Sequence, residues 1–136
     1  MADKSVLRLL DANLNRCREG FRVLEDTARF VRNDERFFLA FRSQRHKLDR
    51  LTRRLYPELV AARSGANDAG RTVKEGGRAN KDAIIFANFR RCEESLRVLE
   101  EYGKLFSAAA GRKFKEMRFT AYELETAAKI KWKLRT

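Results

Sequence analysis

From Leu10 to Val31 the apolar residues Leu10, Leu14, Cys17, Phe21, Leu24, Ala28 and Val31 recur at alternating steps of four and three. That spacing lines one face of an α-helix. Ile85, Phe89, Cys92, Leu96, Leu99, Gly103 and Phe106 repeat the same steps in the second half of the chain, and two stripes of one phase predict two helices sharing one core. Asn33 and Asp34 predict a turn and N-cap. A second helix then runs through Phe38, Phe41, Leu48, Leu51 and Leu55, kinked or ended by Pro57. A third helix from about Lys81 to Ala109, a turn at Gly111 and a fourth helix from Lys113 complete the count. The segment from Arg63 to Asn80 holds most of the chain's seven Gly and no apolar periodicity. It reads as a long connection, of the kind that often carries function.

A repeat reinforces this reading. Sliding the chain by 75 residues lays Ala12–Phe30 over Ala87–Leu105 with nine of nineteen positions identical, among them Asn13/Asn88, Arg16/Arg91, Cys17/Cys92, Arg22/Arg97, Val23/Val98 and Glu25/Glu100. One residue out of step, Phe38, Arg42, His46 and Leu48 meet Phe114, Arg118, Tyr122 and Leu124. Each half is helix, turn, helix, and two copies are too few for a solenoid. The fold predicted is all-α, a four-helix bundle made of two repeated helical hairpins with pseudo-two-fold symmetry. It forms one domain over residues 1–136, with halves at about 5–62 and 80–134 and a connection at 63–79.

Composition fits long solvated helices: 43% hydrophobic, 37% charged, ten Phe and one Pro. No stretch resembles a signal peptide or a membrane span, so a cytoplasmic location is expected and a membrane partner is not. Cys17 and Cys92 are too few for a disulfide framework and have no zinc spacing, so they read as reduced core residues. A net charge of +12 and a pI near 10.3 favour anionic partners. Nucleic acid is one such class, but no helix-turn-helix, zinc finger or aromatic stacking pattern accompanies the charge.

At 100° per residue, Asn13 lies roughly 60° from the centre of its stripe and Arg16 roughly 120°. Asn13/Arg16 and Asn88/Arg91 would therefore approach each other wherever the first and third helices are neighbours. Forked guanidiniums and amides suit phosphate and a heterocycle edge, unless the repeat merely preserves an old helix sequence. Arg22/Glu25 and Arg97/Glu100 read as surface ion pairs of little worth. Val23 and Val98 lie off the stripe and imply a second packing surface, toward another helix or toward a second subunit in a homo-oligomer. Gly65 to Thr72 is one substitution from a phosphate-binding loop, with Arg71 where Lys is required, but it follows a helix rather than a strand. Arg63, Arg71 and Arg78 flank it. His46 is the only histidine, which excludes Ser-His-Asp and multi-histidine zinc sites. It either borders the core or acts in catalysis. Asp68 either ligates a metal beside a phosphate or forms an Asx-turn.

The stretches LRLLDANLNRCREGFRVLEDTARFV, FRSQRHKL, AARSGANDAG and ANFRRCEESLRVLEEYGKL, in this order, resemble the small helical domain found fused ahead of thiamine-phosphate synthase in some bacteria and also alone. The likeness spans nearly the whole chain. It implies an alternative hydroxymethylpyrimidine-phosphate kinase of thiamine biosynthesis, using ATP and Mg²⁺ to convert the monophosphate to the pyrophosphate. The substrate implied is a small phosphorylated pyrimidine, and the protein partner implied is thiamine-phosphate synthase. Carried onto this chain, the likeness makes Asp68 and His46 catalytic and Asp68 the metal ligand. Asn13, Arg16, Arg45, Arg63, Gly70, Asn88 and Arg91 become the substrate and phosphate contacts. Ser64 stands where the family pattern has Asp, and Arg71 where it has Thr. The lost acid also suits a non-catalytic module that binds a thiamine precursor or docks on the synthase.

Overall fold

A computed structural model describes residues 3–136 of the chain. Four long helices carry the fold: α1 (Lys4–Asp26), α2 (Glu35–Thr52), α4 (Lys81–Gly103) and α5 (Ala108–Lys131), with a short α3 (Tyr56–Ala61) after α2. No strand occurs among the described residues. Side-chain oxygens of Asp3, Asp34, Asn80 and Ser107 accept the first free N–H groups of α1, α2, α4 and α5, which is why each helix starts where it does. A π-helical turn over Thr27–Val31 closes α1, and Asn33 follows with a φ of 50°, a backbone state Asn tolerates better than most residues.

Two predicted boundaries move. The second helix stops at Thr52, passes through a 3-10 turn over Arg53–Leu55, and Pro57 lies in the first turn of α3. Proline starts a new helix here because its missing N–H is not needed in a first turn. The second correction concerns Gly111, which is buried inside α5; the turn spans Lys104–Ser107 instead. A Cβ at Gly111 would stand 2.9 Å from Lys104 Cγ and 3.4 Å from the Glu100 carbonyl oxygen. The glycine serves close approach of α5 to the end of α4 rather than a turn.

The bundle is built on α1 and α4, which pack most extensively on each other, with α2 against α1 and α5 against α4. Cys17 and Cys92 meet in the middle, where the Cys92 thiol lies 3.7 Å from the Cys17 carbonyl oxygen. Gly20 faces Asn88, while Asn13 and Ser95 border one hollow, so α1 and α4 run antiparallel and residues equated by the repeat are reciprocal neighbours. A rotation relating the two halves remains what the sequence predicts. Every stripe residue from Leu10 to Ala28 is buried, as are Ile85 to Gly103. Val31 and Phe106 emerge beyond the helix ends. The crossing is tight enough that a Cβ at Gly20 would stand 2.7 Å from Cys92 Sγ and 3.2 Å from the Asn88 carbonyl oxygen. Gly20→Ala should therefore destabilise the protein by about 1–3 kcal/mol through overpacking, despite gaining about 1 kcal/mol of helix propensity. Urea denaturation checks this, and adding Cys92→Ala should recover part of the loss, because the two sites are in contact.

The Glu25 and Glu100 pairs do not match the expectation of weak surface ion pairs. Glu25 is 3% exposed and Glu100 is 4% exposed. Glu25 accepts two hydrogen bonds from Arg45, at 3.0 and 3.2 Å. Glu100 Oε1 accepts two from Arg118, at 3.2 and 2.9 Å. These forks tie α2 to α1 and α5 to α4, while Arg22 and Arg97 cap each carboxylate from the solvent side. One further pair of positions differs between the halves. Arg18 of α1 donates to Asp49 of α2 at 2.8 Å, whereas the corresponding places in α4 and α5 hold Glu93 and Glu125. Burial first, then the neighbouring Glu125 carboxylate, pushes the Glu93 carboxyl up from 4.5 to about 8.

Candidate functional site

One outer face of the α1/α4 pair carries a groove, partly covered by the connection from Arg63 to Asn80. Two adjoining hollows compose it, of about 780 Å³ and about 450 Å³, and both are bordered by Asn13, Arg16 and Val98. Helical spacing puts Asn13 and Arg16 one turn apart on α1, and Arg91, Ser95 and Val98 in a row on α4. Val98, half-buried on α4, borders both hollows.

The larger hollow is walled by Arg8, Asp11, Arg63, Ser64 and Asp68. Arg63 forks onto Asp11, with Nε at 2.7 Å and Nη2 at 3.0 Å. Those hydrogen bonds hold its guanidinium above the ordinary arginine range and leave its other amino group for a ligand. Arg8 donates to the Ser64 carbonyl at 3.5 Å, and Asn67 donates to the Ser64 hydroxyl at 3.0 Å. Ser64 is thereby used to shape the start of the connection. Asp68 Oδ1 accepts the Gly70 N–H at 2.9 Å, an Asx-turn that leaves Oδ2 for a ligand. Asp68 is one carboxylate, and no cluster of three or more metal-ligating side chains occurs among the described residues. This set fits a Mg²⁺ that arrives on phosphate oxygens and takes one protein carboxylate. It does not fit a metal held by the protein alone.

The smaller hollow takes Arg78, Arg90 and Arg91, with Glu75, Glu94 and Ser95. Glu75 reaches from the connection to within 4.0 Å of Arg91. Cations outnumber carboxylates in both hollows, so the groove concentrates a positive field between low-dielectric walls.

Of the residues singled out from sequence, the groove brings together Asn13, Arg16, Arg63, Asp68 and Arg91. Gly70 sits in the adjacent turn. Asn88 donates to the Ile84 carbonyl at 2.8 Å and borders neither hollow. Arg45 and His46 lie on α2, away from the groove, and Arg45 is spent on Glu25. Arg8, Glu75 and Arg90 are wall residues that the sequence reading did not single out. Arg90 could have been found as the neighbour of Arg91 on the same helix edge, whereas Arg8 and Glu75 become neighbours of the site only through the path of the connection. A separate apolar hollow of about 60 Å³ lies inside the bundle among Leu14, Leu51, Leu99 and Phe114. Its one polar neighbour, Thr52, already donates to the Leu48 carbonyl, so it is a packing void without polar recognition. No described helix is long and apolar enough to cross a membrane.

Comparison with known proteins agrees with the resemblance read from the motifs. The ThiD2 family matches residues 8–127. Thiamine-phosphate synthase of Nostoc punctiforme is 41% identical over 124 residues, which cover 89% of this chain and 34% of that protein. The Nostoc sp. PCC 7120 thiamine-phosphate synthase is 42% identical over the same shares, and that of Gloeobacter violaceus is 39% identical over 93% of this chain and 37% of its own length. The chain spans about a third of the length of these curated relatives. No solved structure matches it. With the family match extending over all the elements that build the groove, from α1 into α5, the chain belongs to the ThiD2 family.

Proposed function

We propose that the protein acts in thiamine biosynthesis by transferring a phosphoryl group from a nucleoside triphosphate to hydroxymethylpyrimidine phosphate. One observation carries the reading: arginines outnumber carboxylates in both hollows of the groove. A hydroxyl acceptor would need a base to take its proton. A phosphate monoester does not, because its second ionisation lies near pH 6 and its oxygen is already anionic at neutral pH. Catalysis then reduces to positioning and charge stabilisation, which arginine forks supply.

In this reading Arg63 and Arg91 bind phosphate oxygens, and Asp68 takes one position on a magnesium ion that neutralises the triphosphate. Incubating the pure protein with hydroxymethylpyrimidine phosphate, ATP and Mg²⁺ should yield the pyrophosphate. No product with any triphosphate or divalent metal removes the reading. Arg91→Ala should weaken binding of the pyrimidine phosphate by about 1.5–3 kcal/mol, the worth of a hydrogen bond to a charged group, with the helix intact because Ala is the better helix former. Isothermal calorimetry measures it.

One feature favours a second reading, a module that binds the precursor or docks on the synthase without chemistry: Ser64 stands where the resemblance leads one to expect Asp. Tight binding of the pyrimidine phosphate without turnover selects it.

A further inference from the structure

Of the arginines that wall the groove, Arg16 is the one that borders both hollows. Arg63 is held by Asp11 and Arg91 stands near Glu75, whereas Arg16, like Arg8, Arg78 and Arg90, forms no ion pair among the described residues. Its side-chain partner is the Asn13 amide oxygen at 3.4 Å. Asn13 is buried and its own N–H donates to the Leu9 carbonyl at 2.9 Å. That bond fixes which way the amide faces and turns Oδ1 toward the guanidinium. Arg16 thus stands, aimed and without a carboxylate, where the two hollows meet.

Resting on the phosphoryl-transfer reading, we propose that the groove is a two-chamber site. The larger hollow, at Arg63 and Asp68, takes the triphosphate. The smaller, at Arg90 and Arg91, takes the phosphate of the pyrimidine. Arg16 is the catalytic residue on the group in transit, and Asn13 is its positioning residue. The chemistry assigns the chambers. A metal accompanies a triphosphate more readily than a monophosphate, and the larger hollow holds Asp68, oriented by its Asx-turn, beside three arginines, whereas in the smaller hollow Glu75 lies near Arg91 and Glu94 stands among four arginines. Arg78, Arg90 and Arg91 in the smaller hollow suit a dianion without metal. During transfer an acceptor phosphate oxygen forms a bond to the terminal phosphorus of the donor, and that phosphorus loses its bond to the bridging oxygen. The electron pair stays on the departing diphosphate, and no proton moves. Charge on the group in transit spreads over its three equatorial oxygens, between the chambers, where a guanidinium tied to a carboxylate would be worth less.

Calorimetry with the full chain tests the division, using Mg²⁺ with the imido analogue of ATP as one probe and hydroxymethylpyrimidine phosphate as the other. Asp68→Asn should weaken only the triphosphate analogue and Arg91→Ala only the pyrimidine phosphate, each roughly tenfold to a hundredfold. Arg16→Ala should lower kcat by roughly a hundredfold to a thousandfold, and Arg16→Lys should not restore it, because lysine lacks the fork. Asn13→Ala should lower kcat while both dissociation constants stay within about twofold, a split that general loosening of the helix would not give. Equal weakening of both probes by Asp68→Asn and by Arg91→Ala overturns the chambers, and a kcat for Arg16→Ala within a few-fold of the parent overturns its role. If both probes bind in the predicted pattern but no pyrophosphate forms, phosphoryl transfer fails and the division of the groove stands. If neither binds, both fall together.

Discussion

Replacing Glu100 by Gln is expected to cost about 3–5 kcal/mol of folding stability, the usual loss when one member of a buried ion pair is removed. Arg118 reaches Glu100 Oε1 through both Nε and Nη2, and Arg97 reaches Oε2 at 2.7 Å. Gln keeps the shape but presents an amide N–H₂ to one of the two guanidiniums and leaves Arg118 without a counter-charge at the α4/α5 contact. The loss measures the cost of an orphaned charge rather than the net worth of the pair. Glu100→Leu combined with Arg118→Leu should therefore be markedly less damaging than either change alone. Urea unfolding of the two single variants and the double variant decides this. A double variant as unstable as the sum of the singles would show that the fork contributes no coupling. Glu25 and Arg45 should behave alike, because the same fork joins α1 to α2.

Stability is expected to fall between pH 5 and pH 8, opposite to proteins governed by paired carboxylates. Glu93 is 7% exposed, and burial first, then the neighbouring Glu125 carboxylate, pushes its carboxyl up from 4.5 to about 8. Folding then favours the protonated form. The stability this supplies is complete below about pH 4.5, the unfolded value, and is lost progressively as pH rises through about 8. At 1.36 kcal/mol per unit the swing is on the order of a few kcal/mol. Arg90 opposes it and Glu94 adds to it. Glu93→Gln should flatten the slope and raise the melting temperature at pH 8. An unchanged pH profile in that variant would refute the raised Glu93 carboxyl. At the acid end Asp34 works the other way. Burial alone would raise its carboxyl, but Lys131, Trp132 and the Phe37 N–H outweigh burial and pull it below 3.8. Its contribution is present above pH 3.8 and lost as pH falls further.

Periodicity predicted the central helices well because burial of a stripe is what a helix between neighbours requires. Cys17, Phe21 and Leu24, with Cys92, Leu96 and Leu99, are all fully buried. The reading of Glu25 and Glu100 as surface ion pairs failed, although at 100° per residue they lie only roughly 60° from the centre of the stripe, because α1 and α4 each have two neighbours. Their buried arc is therefore wider than one stripe. Gly111 looked like a turn because glycine's conformational freedom and its lack of a side chain leave the same mark in a sequence. The Asn13, Arg16 and Arg91 part of the groove was legible from helical spacing and the repeat. Arg8 and Glu75 were not, since no local pattern specifies how an aperiodic connection crosses a helix face. The Glu93 and Glu125 pair was visible in principle, as two positions where aligned copies exchange Arg for Glu and Asp for Glu, but each substitution alone looks like ordinary surface variation.

The antiparallel α1/α4 contact also constrains how the chain reaches this structure. Its central residues, Cys17 and Cys92, are 75 positions apart, and bringing such ends together costs roughly 4 kcal/mol in a flexible-chain estimate. Either hairpin can pair its own helices cheaply, through α1 with α2 or α4 with α5, but alone it leaves the Cys17 or the Cys92 stripe facing water. Long-range docking of the two hairpins is therefore the slow event, and local helix pairing precedes it. Because each half gains its full core only from the other, a half-folded bundle has little to stabilise it, and the molecule should populate its folded and unfolded ensembles with little between them.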